Sequence, residues 1–102
     1  MPEFVTVAHG AVPEQGEVTV FEVRGERVAV ANVGGTLHAF DDSCPHRQCS
    51  LAEGGLEETV VTCPCHGSRF DVATGERLRG PAVRAPRVYA VRVESGALQV
   101  EI

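Results

Sequence analysis

The sequence predicts an all-β fold, a small sandwich or barrel, with a loop-rich segment bearing cysteines and histidines inserted into it. Three observations carry this expectation. Short β-rich runs recur between glycines and prolines. The final run alternates apolar and polar residues with the period of two that marks a half-buried strand. No window of the 102 residues shows the apolar stripe of an amphipathic helix, and no internal repeat, linker or low-complexity stretch interrupts the chain.

Each predicted element has a local reason. Val18 to Val23 and Val28 to Val33 are rich in β-branched residues and flank Arg24-Gly25-Glu26, which reads as a hairpin turn. Thr36 to Phe40 follows the turn signal Gly34-Gly35. Near the end, Arg87 to Glu94 and Ala97 to Ile102 flank Ser95-Gly96, a second hairpin. In the last run Leu98, Val100 and Ile102 point one way, while Gln99 and Glu101 point the other. Between these groups, from Asp42 to Gly80, loop residues accumulate: Gly54-Gly55, Gly67, Thr74-Gly75 and Gly80-Pro81. We read that stretch as a subdomain of 42–80 set into a β frame of 1–41 and 81–102, all within one domain of 1–102.

Composition narrows the classes of function. Apolar residues make up 43% and charged residues 23%, ordinary values for a soluble globular protein. The net charge of −5 makes nucleic acid an improbable partner. An acidic chain is better suited to meet basic patches on other proteins, although much of that charge can serve solubility alone. No apolar run approaches the ~20 residues of a membrane helix. The start, Met1-Pro2-Glu3-Phe4-Val5-Thr6-Val7, carries neither a secretory signal nor a twin-arginine motif. The expectation is a cytoplasmic protein with no membrane partner.

The chemistry lies in two short motifs, Cys44-Pro45-His46 and Cys63-Pro64-Cys65-His66, separated by the sixteen residues Arg47 to Thr62. Each offers a soft thiolate and an imidazole to a metal. Structural zinc sites favour C-x₂₋₄-C with H-x₃₋₅-H, so C-x-H with C-x-x-H is a poor zinc pattern. Two loop tips, each giving one Cys and one His, can face each other across a metal centre. Pro45 and Pro64 stiffen those tips, and Gly67 lets backbone come close after the second motif.

Together with Gly67, the two motifs resemble the two boxes of the Rieske family. That resemblance implies one [2Fe–2S] cluster, with Cys44 and Cys63 on one iron and His46 and His66 on the other. Two ferric ions, two sulfides and two thiolates sum to zero charge, whereas four thiolates would leave the cluster at −2. The neutral cluster takes an electron more readily, at about −150 to +300 mV against about −400 mV for plant-type ferredoxins. The stretch Arg69-Phe70-Asp71-Val72-Ala73-Thr74-Gly75-Glu76 is similar to the turn and hairpin after the second box in ferredoxins of bacterial ring-hydroxylating dioxygenases. Gly80-Pro81-Ala82 resembles the proline loop covering the cluster.

The implied function is a one-electron carrier between an NAD(P)H-dependent flavoprotein reductase and a terminal oxygenase. The chain would then not be an enzyme by itself, and nothing in it suggests the two-His-one-carboxylate site of a non-haem iron oxygenase. Cys49 and Cys65 depart from the oxygenase-ferredoxin pattern. They match the extra cysteine pair of Rieske proteins in cytochrome bc complexes, which implies a disulfide shielded by burial beside the cluster. Ser68 matches the serine that those proteins aim at a bridging sulfide, but Phe70 replaces their tyrosine. The implied potential is therefore above typical oxygenase ferredoxins and below mitochondrial-type proteins. The alternatives are a stand-alone carrier of higher potential for another acceptor, and a structural or regulatory subunit that carries no electrons. Arg47 and Gln48, beside His46, are candidates for partner contact. Asp41, Asp42, Glu53, Glu57 and Glu58 form either a docking patch or a solvated acidic face. Phe70 is expected in the core rather than as an electron relay, and His9 and His38 as surface or strand residues.

Overall fold

A computed structural model describes residues 3–10, 12–44, 49–65, 67–80 and 85–102. Among the described residues eleven strands run in the order β1 (Phe4–His9), β2 (Val18–Val23), β3 (Glu26–Val33), β4 (Thr36–Asp41), β5 (Gly55–Glu57), β6 (Val60–Thr62), β7 (Arg69–Asp71), β8 (Glu76–Arg79), β9 (Val88–Tyr89), β10 (Val91–Glu94) and β11 (Ala97–Glu101). One turn of 3₁₀ helix, Leu51–Glu53, precedes β5. The strands form three antiparallel sheets, ordered β1-β11-β10, β2-β3-β4-β9 and β5-β6-β7-β8. The described residues contain no helix long and apolar enough to cross a membrane.

The hairpins form where the sequence places them, the first with a tighter loop and the second with Ser95-Gly96 as expected. Val23 pairs with Glu26, so the first turn is the two-residue loop Arg24-Gly25. Both its residues have positive φ, 51° and 82°, and so do Ser95 and Gly96 at 52° and 77°. That conformation matches the right-handed twist of the strands it joins. The predicted run Arg87 to Glu94 is not one strand. It breaks at Ala90, with β9 on β4 and β10 on β11, so the chain passes there from one sheet to another. Strand β1 pairs with the last strand, β11, and a pairing across almost the whole chain leaves no local signal in either segment.

The β2-β3-β4-β9 sheet is the middle layer. Val28 and Val30 of β3, with Ala39 of β4, bury themselves against Leu98 and Val100 of β11. Ala29 and Ala31, with Phe40, point to the opposite side and pack with Cys44, Leu51, Val61, Cys63, Phe70 and Val72. Every residue from Val28 to Ala31 is fully buried because β3 is covered on both faces. A strand buried on both faces reads as a continuous apolar run rather than an alternating one. The smaller side chains face the second lobe and make room there for Phe40 and Phe70.

Asp42 anchors that lobe to the frame. Its side chain is 1% exposed. The backbone N–H of Asp42 donates to the Arg27 carbonyl, and its own carbonyl accepts from the Leu51 N–H at 2.8 Å. Its carboxylate accepts from the Ala52 N–H at 2.8 Å and meets the Arg27 guanidinium at 3.2 Å. Asp42 is therefore neither docking patch nor solvated face. Burial with four ties makes it a structural joint, while Glu53, Glu57 and Glu58 are exposed. Truncating Asp42 to Ala should lower stability by about 1.5–3 kcal/mol, since it leaves a buried N–H without its charged acceptor. A urea melt unchanged by Asp42→Ala would refute this anchoring role.

Candidate metal centre

Cys44 and Cys63 each follow the last pair of a small antiparallel pairing, and we call the two ends tips. The first tip closes by a bridge between Ser43 and Ser50, and the Cys44 N–H donates to the Cys49 carbonyl at 2.9 Å. The second closes where Thr62 of β6 pairs with Arg69 of β7. Within it the Cys63 N–H donates to the Ser68 carbonyl at 2.7 Å, and the Gly67 N–H returns to the Cys63 carbonyl at 3.1 Å. These backbone hydrogen bonds hold Cys44 and Cys63 in place.

Two ties join the tips. Cys49 and Cys65 form a disulfide with Cα atoms 6.5 Å apart, inside the span a bridge tolerates. Gly54 supplies the second. A Cβ placed on it would lie 1.8 Å from the Thr62 carbonyl oxygen and 3.1 Å from Cδ of Pro64. The strand leaving the first tip thus runs directly against the backbone that enters the second, and only a glycine permits it.

Cys44 and Cys63 keep their thiols and are buried at 0% and 2% exposure. The sulfurs of Cys49, Cys63 and Cys65 lie within 4.8 Å of one another. Because Cys49 and Cys65 are spent on the disulfide, they offer no thiolate to a metal. Ser68 is fully buried, and so is Phe70, which packs in the core cluster that contains both Cys44 and Cys63. His46 and His66 lie outside the described residues, as do Pro81, Arg47 and Gln48.

Two features differ from expectation. The described atoms leave open space around Gly67, so no close approach demands glycine there; its φ of +78° does. Cys65 is exposed and Cys49 only half-buried, so burial does not shield their disulfide. The cause is position, since Cys65 occupies the turn of the second tip. His9 and His38 lie on β1 and β4, as strand residues. Sequence reasoning missed Asp42 and Gly54 as site-building residues, although Gly54-Gly55 marked the place where backbone comes close.

The described part of the donor set suits an iron–sulfur cluster. Two buried thiols on two clasped loops supply soft ligands in an apolar setting.

Comparison with known proteins agrees. Residues 3–95 match the family model for the Rieske [2Fe–2S] domain. The chain is 33% identical to the ferredoxin component of the naphthalene 1,2-dioxygenase system of Pseudomonas aeruginosa, over 94% of this chain and 91% of that one. It is 38% identical to the ferredoxin component of the biphenyl 2,3-dioxygenase of Rhodococcus jostii RHA1, over 85% of this chain and 81% of that one. Among solved structures, the ferredoxin of carbazole 1,9a-dioxygenase from Nocardioides aromaticivorans IC177 superposes with a TM-score of 0.85 at 33% identity, covering 97% of this chain and 95% of that one. A complex of reduced oxygenase and oxidized ferredoxin in carbazole 1,9a-dioxygenase matches with a TM-score of 0.86 at 31% identity, covering 96% of this chain and 92% of that one. The chain belongs to the Rieske [2Fe–2S] domain family, an electron carrier whose cofactor is a Rieske-type [2Fe–2S] cluster.

Proposed function

We propose that this ferredoxin takes single electrons from an NAD(P)H-dependent flavoprotein reductase and passes them to a terminal oxygenase that acts on an aromatic ring. The observation that carries the reading is the pair of buried thiols, Cys44 and Cys63, on two loop tips that the fold clasps together. The relatives named as ferredoxin components of dioxygenases supply the acceptor class. Cys44 and Cys63 would hold one iron, and His46 and His66 the other. The bound group supplies one-electron transfer; the chain positions its ligands, keeps bulk water from the thiolates and presents a surface to partners. The segment from Asp42 to Gly80 is the cluster lobe in this reading, on a frame of residues 1–41 and 81–102. We place the protein in the cytoplasm, where reduced nicotinamide nucleotides are available.

The test is iron and sulfide content followed by film voltammetry at neutral pH. Two irons and two sulfides per chain, with a potential near the low end of the Rieske range, are the expected result. Substitution of Cys44 or Cys63 by Ser should abolish loading, and normal loading of either variant would overturn the ligand assignment. A second reading is favoured by the disulfide and the buried Ser68: a carrier of higher potential for a different, more oxidising acceptor. A clearly positive potential would select it. Ser68→Ala should lower the potential by on the order of 60 mV, the one-electron equivalent of a ~1.4 kcal/mol hydrogen bond. An unchanged potential would show that Ser68 does not tune the cluster.

A further inference from the structure

The nine cationic side chains are all arginines in a chain of net charge −5. Seven of them lie among the described residues, and four of those seven have acidic partners. Arg24 pairs with Glu3, Arg27 with Asp42, Arg69 with Glu57 and Arg92 with Glu94. Arg77, Arg79 and Arg87 are exposed and form no ion pair with a described residue.

The fold gathers these three. Arg77 and Arg79 lie on β8, the outer strand of its sheet. Arg87 immediately precedes β9, the outer strand of the middle sheet. The turn between β7 and β8 meets β9, because a Cβ on Gly75 would sit 3.4 Å from Cγ2 of Val88. Two of the three exposed large apolar side chains among the described residues adjoin these arginines in the chain: Leu78, at 47%, lies between Arg77 and Arg79, and Val88, at 39%, follows Arg87. All four residues of β8 are exposed, and Leu78 stands at an irregularity in the ladder. Phe70 pairs with Arg77 and Arg69 with Arg79, so Leu78 has no residue opposite it. The surface also adjoins the candidate metal centre. Arg79 pairs with Arg69, which directly follows Ser68 of the second tip.

From this juxtaposition we infer that Arg77, Leu78, Arg79, Arg87 and Val88 form a docking surface for an electron-transfer partner whose contact patch is apolar and rimmed by carboxylates. Charges and bulges on an outer strand also discourage sheet-to-sheet pairing. That accounts for the arginines, but not for two apolar side chains left exposed among them. An apolar centre with an arginine rim is the usual composition of a protein interface. On an acidic chain, a local cationic face orients the encounter against the sign of the net charge. The inference rests on the electron-carrier reading above and adds the sign of the partner's surface.

That sign makes the test direct. Reduced, cluster-loaded protein is mixed in stopped flow with cytochrome b5, an acidic haem protein, as the probe acceptor, and with cytochrome c, a basic one. Net charge alone predicts that electron transfer to cytochrome b5 speeds up as salt screens repulsion. The docking surface predicts the reverse, a rate that falls with added salt. The triple variant Arg77→Gln, Arg79→Gln, Arg87→Gln should lose about tenfold of the low-salt rate with cytochrome b5. The double variant Arg24→Gln, Arg92→Gln, in the β2–β3 turn and on β10, removes two ion-paired arginines and should keep the wild-type salt slope. Leu78→Ser should slow transfer at high salt, where the apolar contact dominates. A wild-type rate that rises with salt, or a triple variant equal to wild type, overturns the surface. Failure to reduce either cytochrome overturns the carrier reading itself, and the surface with it.

Discussion

Replacing Gly54 with Ala should cost on the order of 3 kcal/mol of stability and most of the bound iron. The added methyl would stand 1.8 Å from the carbonyl oxygen of Thr62 and 3.0 Å from its carbon. Both obstacles are backbone, so no side-chain rotation relieves them, and overpacking of this kind costs ~1–3 kcal/mol or more. The displacement falls where Gly55 begins its pairing with Thr62, one residue before Cys63. Parting the strands there moves the second tip away from the first and spoils the geometry of both buried thiols. Gly55→Ala is the matched control. Nothing lies within 4 Å of a Cβ at Gly55, and its φ is not in the left-handed region. That variant should change stability by no more than about 0.5 kcal/mol. Urea melts and iron-to-protein ratios of the two proteins decide the matter. A Gly54→Ala protein with wild-type stability and iron content would mean that the tips are not in the contact described.

Removing the disulfide is expected to lower stability by a comparable amount. Cys49 and Cys65 are 16 residues apart in sequence, and closing a loop of that length restricts the unfolded chain by about 3 kcal/mol. For a domain of this size that corresponds to a fall in melting temperature of roughly 15 °C. The double variant Cys49→Ser, Cys65→Ser should therefore melt lower than wild type under oxidising conditions. Because Cys65 is exposed, a small thiol reductant reaches the bond in the native fold. Dithiothreitol should bring wild type down to the level of the double variant and leave the variant itself unmoved. Equal melting with and without reductant would show that the bridge contributes nothing. Cytosolic disulfides are uncommon, and an exposed one is the kind that responds to its surroundings. In this chain the bond spans the two tips.

How much of this was written in the chain differs from element to element. The Val18–Val23 strand and its hairpin partner were legible because β-branched residues and an Arg-Gly turn are local signals. The family was legible because the two Cys/His boxes restrict residue type and spacing within a few positions. Strand β1 was not, since its pairing with β11 joins residues almost a hundred positions apart. The break at Ala90 was equally hidden, because Arg87 to Glu94 is uniformly β-forming and only the separate neighbours β4 and β11 divide it. The role of Asp42 could not be read at all. Beside Asp41 it resembled a surface acid, and its burial depends on two segments converging on it, Arg27 from β3 and Leu51-Ala52 from the 3₁₀ turn.

The sequence by itself determined the β class, the paired Cys/His boxes and, through them, the chemistry, since backbone propensity and ligand softness are properties of residues and their near neighbours. Only the tertiary structure decided how the boxes are held. It set Gly54 against Thr62, bridged Cys49 to Cys65, buried Asp42 and brought the β7–β8 turn against Val88. Those are contacts between segments distant in the chain, and their energies come from packing and desolvation that exist only once the sheets have closed on one another.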